Sequence, residues 1–330
     1  MNISVIGSGT WGCALASILK DKGNHVTLWS YFKEESETLQ NTQTIKNLPD
    51  FLMPSGIEYT SDIKEAAENK DIIVMVTPSA AISDTAEKMS PFVKSGAVIV
   101  CASKGFDSKT QKTLTETIKE KIPHAHVAAL SGPSHAEEVA KKMPTTLVAA
   151  SESKKVRESL QELFMTEYLR IYTNEDILGV EIGGALKNII ALCAGISDGL
   201  GLGDNAKAAL MTRGISEISR LGIAMGAKVS TFAGLSGIGD LIVTCTSIHS
   251  RNRRAGILIG QGKTKDEAME EVNMVVEGVY ATKEAHKLAQ KYDVEMPITQ
   301  EVYSVLFEGK KAKDAVFDLM TRDQKNEIDD

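Results

Sequence analysis

The sequence predicts an α/β domain built on a parallel sheet, followed by an all-α domain. Up to residue 175, short and continuously apolar runs alternate with helical segments, which is the pattern of strands buried on both faces of a sheet. After a long apolar helix that begins near residue 176, the spacing of apolar residues is helical throughout. The 330 residues suffice for two domains, which we place at residues 1–175 and 176–330.

The overall composition argues against several classes of protein. The formal net charge is −7 and the chain has no basic stripe, so no nucleic-acid partner is expected. The four cysteines are scattered without a CxxC pair, and a strand-like run from Ile3 leaves no room for a signal peptide. We therefore expect reduced thiols and a cytoplasmic location. The six histidines form no metal-binding motif, and no metal site is expected.

The first strand, Ile3–Ile6, runs directly into Gly7-Ser8-Gly9-Thr10-Trp11-Gly12 and then into a helix that ends near Gly23. A strand, a GxGxxG turn and a helix in succession are the fingerprint of a Rossmann-type dinucleotide-binding domain. The first glycine makes the turn, the second lets the backbone approach the pyrophosphate, and the third packs the helix on the strand. The helix N-terminus then favours phosphate through its free N–H groups and its dipole.

The end of the second strand, His25–Trp29, bears on the choice between NAD and NADP. An NAD-specific site usually has an acid there for the ribose 2′-hydroxyl, whereas this chain has Ser30. Without that carboxylate a 2′-phosphate is not repelled, and Lys33 could help to bind it. We therefore expect NADPH to be used at least as well as NADH, with Ser30 as the selecting position. The alternative is that Lys33 simply points to solvent.

The rest of the first half predicts a loop over Asn41–Gly56, a short helix over Asp62–Asn69, and a series of strands. The strands are expected at Asp71–Val76, Ala97–Cys101, Val127–Leu130, Thr145–Ala150 and Leu169–Tyr172. In a parallel sheet, ligands bind beyond the carboxyl ends of the strands. That rule gathers Thr77, Lys104 and the Gly132–Ser134 turn around one crevice, with Lys104 as a substrate-binding cation.

A long helix is predicted over Ile177–Ile196, with Asn174 or Asp176 as its N-cap. Its residues are apolar on nearly every face, which is typical of a buried helix. Glu181 and other polar residues interrupt the apolar run, so we do not expect a membrane span.

Lys187 lies in the middle of this helix without an acid one helical turn away. Its neighbours Gly183 and Gly184 remove side chains from that face, so another backbone or a ligand can approach. Burial lowers the pKa of a lysine and makes it a usable acid or base near neutral pH. The alternative is a lysine that extends to water or pairs with a distant carboxylate.

The second half predicts helices at Asn205–Leu221, Ser250–Gly260, Asp266–Glu271, Val279–Tyr292, Ile298–Glu308 and Lys313–Met320. The segment Gly234–Asp240 is expected to be a flexible turn that delivers a carboxylate. Ser250, Arg251 and Asn252 at a helix start offer a hydroxyl, a guanidinium and an amide to a phosphate group. We expect the next two residues, Arg253 and Arg254, to form a solvated basic face. These features together suggest hydride transfer to or from a small phosphorylated alcohol.

Six segments resemble the bacterial NAD(P)-dependent glycerol-3-phosphate dehydrogenase family, in the right order and over nearly the full chain. They are Gly7–Gly12, Gly132-Pro133-Ser134-His135-Ala136, Gly184-Ala185-Leu186-Lys187-Asn188, Gly234–Thr246, Ser250-Arg251-Asn252-Arg253 and Val276-Glu277-Gly278. Two departures are modest: Asn47–Asp50 replaces the family's usual Tyr-Leu-Pro-Gly, and His135 stands where phenylalanine is common.

The resemblance implies interconversion of sn-glycerol 3-phosphate and dihydroxyacetone phosphate with NAD or NADP, in support of phospholipid synthesis. It implies that Lys187 is the proton acceptor, and we expect a homodimer. The substrate contacts are expected at Lys104, Gly132, Ser134, Asp240, Ser250, Arg251 and Asn252. The cofactor contacts are expected to include the three fingerprint glycines. The full set is Gly7, Gly9, Thr10, Trp11, Gly12, Tyr31, Lys104, Ala136, Arg251, Val275 and Glu277.

Two alternative functions stay open at this point. Another two-domain dehydrogenase of small hydroxyacids would use the same first half with a different anion site. A non-catalytic NAD(P)-sensing protein could also be built on this fold, because a fold does not determine a function.

Overall fold

The computed structural model describes residues 1–324 and 326–327 as a sheet-containing part followed by a helical part. The strands are β1 Asn2–Ile6, β2 His25–Trp29, β3 Thr44–Ile45, β4 Leu48–Leu52, β5 Glu58–Thr60, β6 Ile72–Met75, β7 Val98–Cys101, β8 His126–Ser131, β9 Thr145–Ala150 and β10 Leu169–Asn174. The helices of the first part are α1 Thr10–Asp21, α2 Lys33–Thr42, α3 Ile63–Ala67, α4 Ile82–Met89, α5 Leu114–Lys121, α6 Ala136–Ala140 and α7 Lys154–Phe164. Those of the second part are α8 Ile177–Gly199, α9 Gly203–Ala224, α10 Val229–Phe232, α11 Asp240–Thr246, α12 Arg251–Gly260, α13 Lys265–Val272, α14 Glu277–Tyr292, α15 Pro297–Phe307 and α16 Ala312–Met320.

Eight strands form one sheet in the order β10-β9-β8-β7-β6-β1-β2-β5. Neighbouring strands are parallel except β8 and β9, which are antiparallel. The predicted parallel arrangement is therefore confirmed for the five predicted strands β1, β2, β6, β7 and β8. It is wrong for β9 and β10, which run in the opposite direction. The β8–β9 connection contains the five-residue helix α6. Such a helix spans about 7 Å, too short to return the chain along a whole strand.

One further prediction for the first half needs correction, and two elements there were not predicted. The expected loop over Asn41–Gly56 contains the small antiparallel pair β3–β4, whose register shifts between Thr44 and Ile45. The strand β5 and the helix α2 were not predicted either. These elements are short or largely polar, so their apolar spacing is too weak to indicate a secondary structure. The predicted domain boundary at residues 175/176 stays a prediction, although α8 begins next to it.

The helix α8 extends from the amino edge of the parallel strands toward their carboxyl edge and carries Lys187 there. Because β9 and β10 are reversed, α8 begins at the amino edge of the parallel strands, where the Ser151 hydroxyl bonds the Val127 carbonyl at the start of β8. The Asp176 side chain caps this helix start, as one of the two predicted caps. About 15 Å of helix separates Ile177 from Lys187, which is enough to bring the lysine to the carboxyl edge.

Two helical segments are long and apolar enough to cross a membrane by length and composition alone. They are Ile177–Gly199, which is α8, and Val229–Thr246. In α8, 89% of the most apolar window is buried inside the protein. The core helix of a soluble protein passes the same test, so the two segments are only weak evidence for a membrane span.

The helices α8 and α12 cross at backbone contact distance through glycines. A Cβ atom on Gly195 would lie 2.1 Å from the carbonyl oxygen of Arg253, and one on Gly256 would lie 2.1 Å from that of Leu192. No side chain larger than hydrogen fits at either position. The close crossing fixes the first turn of α12 relative to Lys187 on α8.

We predict that Gly256→Ala lowers the free energy of unfolding by about 1–3 kcal/mol, because the new methyl group forces the two helices apart. Gly239→Ala is the matched control, since its Cβ would meet no atom nearer than 3.7 Å and its φ is −63°. Urea unfolding followed by circular dichroism measures both changes. Equal stability of the two variants would show that the helix crossing tolerates separation.

Candidate active site

Lys104 lies just beyond β7, at the carboxyl edge of the sheet. Its ammonium group donates hydrogen bonds to the Gly132 carbonyl at 3.0 Å and to Asp240 Oδ2 at 2.6 Å. The Ser134 hydroxyl bonds the same Gly132 carbonyl at 3.0 Å, and the Thr77 carbonyl at the end of β6 accepts a bond from Ser103. The structure thus confirms that these residues gather around one edge, while their contact with a substrate stays a prediction.

Asp240 begins α11 and is placed by an ordered π-helical turn, Leu235–Gly239. The prediction of a flexible turn is wrong, because the glycines here allow close packing. A Cβ on Gly237 would lie 2.0 Å from the Phe232 carbonyl oxygen. Asp240 is 1% exposed, so its carboxylate has little access to water.

Lys187 is buried against this carboxylate. Its ammonium group donates to Asp240 Oδ1 at 2.5 Å and to Thr244 Oγ1 at 2.7 Å, and the Thr244 hydroxyl in turn donates to the Asp240 carbonyl. One carboxylate therefore accepts bonds from two lysines, Lys104 on one oxygen and Lys187 on the other. The alternative of a lysine that extends to water is excluded, and the distant carboxylate that pairs with Lys187 is Asp240.

The charges of this cluster shift its proton affinities. Burial, partly offset by the Asp240 carboxylate and reinforced by the Lys104 ammonium, lowers the pKa of Lys187 to about 7. Burial alone would raise the pKa of Asp240, but the two ammonium groups outweigh it and hold that pKa below its ordinary value. Lys187 is therefore a group that can give or take a proton near neutral pH.

The two glycines beside Lys187 allow close contact, as predicted. A Cβ on Gly183 would lie 2.6 Å from the carbonyl oxygen of Ser236, and one on Gly184 would lie 2.8 Å from the Ser131 hydroxyl oxygen. Gly183 thus admits the π-helical turn before Asp240, and Gly184 admits the carboxyl edge of β8.

The turn Gly7–Gly12 has the shape that a dinucleotide pyrophosphate requires. Gly7 has φ +122°, and a Cβ on Gly12 would lie 1.9 Å from the Gly7 carbonyl oxygen. Over Gly9 there is open space for at least 4 Å, so a ligand can approach the backbone there. Thr10 and Trp11 follow in the first turn of α1, where backbone N–H groups lack partners within the helix. These residues fit the pyrophosphate of a dinucleotide.

Ser30, after the end of β2, is 0% exposed, and its hydroxyl makes no hydrogen bond with the described residues. The hypothesis that Ser30 selects the cofactor is therefore corrected, because a buried hydroxyl does not touch a bound ligand. Lys33 points to solvent and pairs with Glu37 at 3.4 Å. Tyr31 is 68% exposed and lies edge-on to Trp29, so it is open to contact with a cofactor.

The start of α14 connects the helical part to the sheet. The Glu277 carboxylate accepts bonds from the Ser79 amide at 3.1 Å and from its hydroxyl at 2.6 Å, and burial raises the pKa of Glu277. Arg251, the first residue of α12, is exposed and makes no hydrogen bond or ion pair with the described residues. Val275 is 36% exposed, and Ala136 is buried at the start of α6.

Two residues of the predicted phosphate site already have internal partners. The Ser250 hydroxyl caps α12 by accepting from the Arg253 amide. The Asn252 side chain donates to Asn188 at 2.9 Å and accepts from the Gly278 amide at 2.8 Å. The expected solvated face is wrong for Arg253, which pairs with Asp198 at 2.7 Å; Arg254 is exposed as expected.

Comparison with known protein families covers both parts of the chain. The model described as NAD-dependent glycerol-3-phosphate dehydrogenase N-terminus matches residues 2–157, and the model of its C-terminus matches residues 176–317. The chain belongs to the NAD-dependent glycerol-3-phosphate dehydrogenase family.

Full-length relatives of this dehydrogenase family agree with that assignment. The glycerol-3-phosphate dehydrogenase of Fusobacterium nucleatum is 55% identical over 99% of both chains. That of Agathobacter rectalis is 54% identical over 98% of this chain and 97% of its own length. The crystal structure of the glycerol-3-phosphate dehydrogenase from Coxiella burnetii superposes with a TM-score of 0.94 at 39% identity, covering 97% of this chain and 99% of the other.

Thr244 and Ser79 are two polar residues of this candidate site that no pattern in the sequence indicated. Thr244 follows Asp240 by one helical turn. A predicted helix at α11 would therefore have placed the Thr244 side chain next to Asp240. Ser79 lies after β6 in a short 3₁₀ turn, and its partner Glu277 is too distant in sequence for any local pattern to reveal it.

We predict that Lys187→Met lowers turnover by about 10²–10⁴-fold, the usual contribution of a positioned proton-transfer group. The KM for the nicotinamide cofactor should change little, because the Gly7–Gly12 turn is unaltered. Lys207→Met is the matched control, since Lys207 is a partly buried lysine paired with Asp198. Near-normal turnover in a folded Lys187→Met protein would exclude the proton-transfer role.

Proposed function

We propose that the chain interconverts sn-glycerol 3-phosphate and dihydroxyacetone phosphate, with NAD or NADP as the redox partner. The observation that supports this most is the cluster Lys104–Asp240–Lys187, which lies at the edge of the sheet where ligands bind. Membership of the glycerol-3-phosphate dehydrogenase family specifies the substrate pair. A bound nicotinamide supplies or accepts the hydride at the secondary carbon.

Lys187 manages the proton that accompanies the hydride. In the reduction of dihydroxyacetone phosphate, the Lys187 ammonium donates its proton to the carbonyl oxygen, which becomes the secondary hydroxyl. In the oxidation, neutral Lys187 removes the proton from that hydroxyl. A lysine with a pKa of about 7 populates both forms near neutral pH. Lys104, anchored by Asp240 and Gly132, supplies a positive charge to the substrate oxygens on the side of the sheet.

Arg251 is the best-placed cation for the substrate phosphate. It is exposed at the N-terminus of the ten-residue helix α12, where the helix dipole also favours an anion. The internal bonds of Ser250 and Asn252 hold this helix start in place, so we assign these two residues to positioning the phosphate site. Gly132 and Ser134 complete the substrate side of the pocket.

We assign the cofactor to the carboxyl edge of the sheet, next to the Gly7–Gly12 turn. The Gly7–Gly12 turn holds the pyrophosphate through backbone N–H groups. The remaining cofactor contacts that we propose are Tyr31, Lys104, Ala136, Arg251, Val275 and Glu277.

The cellular role that we propose is the supply of glycerol 3-phosphate for phospholipid synthesis, from a cytoplasmic homodimer. The family membership supports the pathway and the location. Analytical ultracentrifugation would test the dimer, and a monomer at all concentrations would contradict it.

The experiment that tests the reaction is incubation with NADPH or NADH and dihydroxyacetone phosphate, followed by absorbance of the reduced nicotinamide. We expect oxidation of the cofactor and formation of glycerol 3-phosphate. A battery of unphosphorylated 2-oxoacids, assayed in parallel, tests the alternative of a hydroxyacid dehydrogenase. Activity with a 2-oxoacid and none with dihydroxyacetone phosphate would contradict the proposal.

We predict that Arg251→Ala weakens binding of glycerol 3-phosphate by about 1.5–3 kcal/mol through the loss of charge-assisted hydrogen bonds. Glycerol lacks the phosphate, so it should be a poor substrate for the unaltered enzyme and should be little affected by the substitution. Steady-state KM values for both alcohols provide the comparison. Equal losses with the two alcohols would exclude Arg251 as the phosphate ligand.

A further inference from the structure

The corner between the Gly7–Gly12 turn and the end of β2 is where a Rossmann-type domain places the adenosine ribose of a dinucleotide. In this chain Ile6 of β1 pairs with Trp29 of β2, and the Gly7 amide donates to the Trp29 carbonyl at 3.0 Å. The turn and the residues that follow Trp29 therefore lie side by side. A charged group in this corner affects whether a 2′-hydroxyl or a 2′-phosphate is accepted.

The residues directly after β2 do not bring a charge to this corner. Ser30 is buried, and Tyr31 and Phe32 are exposed aromatic residues that contact each other edge-on. Lys33 extends into solvent, where it pairs with Glu37. The usual selecting position at the strand end is therefore without a charged side chain.

Glu35 brings a carboxylate back to the turn from the first helical turn of α2. Its Oε2 accepts a hydrogen bond from the Ser8 hydroxyl at 2.8 Å, and Ser8 is the residue between the first two glycines of the fingerprint. The other oxygen of Glu35 makes no hydrogen bond to a described residue, and no described cation pairs with this carboxylate. Glu35 also lies about 20 residues beyond the fingerprint, the usual separation for an acid that binds the ribose.

We propose that Glu35 is a specificity-determining residue of the cofactor site and that it favours NADH over NADPH. Its carboxylate accepts hydrogen bonds from the 2′-hydroxyl of NADH and repels the 2′-phosphate of NADPH. The expectation of NADPH use rested on the absence of a carboxylate in this corner, and Glu35 supplies one from the helix instead of the strand. The inference rests on the nicotinamide-dependent reaction proposed above.

Glu35→Gln tests this directly, because it removes the charge and keeps the shape of the side chain. We expect the ratio of kcat/KM for NADPH to kcat/KM for NADH, with dihydroxyacetone phosphate, to rise about tenfold. The rise should shrink as salt is added, because Glu35 is exposed and its charge is screened. If the hydrogen bond between Ser8 and Glu35 had only a structural role, Glu35→Gln would alter the stability of the protein without a salt-dependent change in the ratio of kcat/KM values.

Glu34→Gln is the matched control, with the same loss of charge in the same helical turn. Glu34 is exposed, and its side chain makes no hydrogen bond with the described residues. In Glu34→Gln, the ratio of kcat/KM for NADPH to kcat/KM for NADH should stay close to that of the unaltered protein. A Glu35→Gln ratio that is unchanged, or that moves no further than the Glu34→Gln ratio, would overturn the proposal.

A binding measurement separates this inference from the proposed reaction. Trp11 and Trp29 lie near the corner, so tryptophan fluorescence reports binding of NADH and NADPH without any turnover. If the unaltered protein binds both cofactors but does not reduce dihydroxyacetone phosphate, the proposed reaction has failed. The dissociation constant for NADPH divided by that for NADH then decides the role of Glu35. This quotient should fall in Glu35→Gln and stay nearly unchanged in Glu34→Gln, and an equal change in both variants would overturn the proposal.

Discussion

The shared carboxylate of Asp240 is the interaction on which the site depends. It lies between Lys104 at the sheet edge and Lys187 on α8, with one oxygen bonded to each ammonium group. Removing a charged group from water costs several kcal/mol per ion, so a buried lysine needs a well-placed partner. Without Asp240, two ammonium groups would face each other in a poorly solvated space. The same carboxylate therefore makes the burial of Lys187 possible and joins the sheet to the helical part.

The backbone brings these three residues together through a reversal of strands and a set of close contacts. Reversed strands β9 and β10 start α8 at the amino edge, and the length of the helix then brings Lys187 to the carboxyl edge. Glycines allow the π-helical turn, β8 and α12 to touch the backbone of α8. Two other carboxylates also bind the sheet part: Glu181 accepts bonds from Thr115, and Glu277 accepts bonds from Ser79.

Features encoded by neighbouring residues were predictable from the sequence, and features that depend on distant pairs were not. The fingerprint turn and the burial of the helix α8 follow from local spacing, whereas that spacing left open whether the Lys187 side chain extends to water. The partnership of Lys187 with Asp240 joins residues 53 positions apart, and no local pattern reveals it. The direction of β9 depends on how far the α6 connection extends, which apolar spacing does not indicate. Likewise, Ser30 looked available at a strand end, but the packing around it removes it from the surface.

The pH dependence of dihydroxyacetone phosphate reduction in Asp240→Asn tests the central role of this carboxylate most directly. In the proposed mechanism, protonated Lys187 donates the proton during reduction, so the wild-type rate should fall as the pH rises through about 7. Asp240 raises the pKa of Lys187, and its neutralisation should therefore move this falling limb to lower pH. If the falling part of the pH–rate profile of Asp240→Asn stays in place or moves to higher pH, Asp240 does not control the protonation of Lys187.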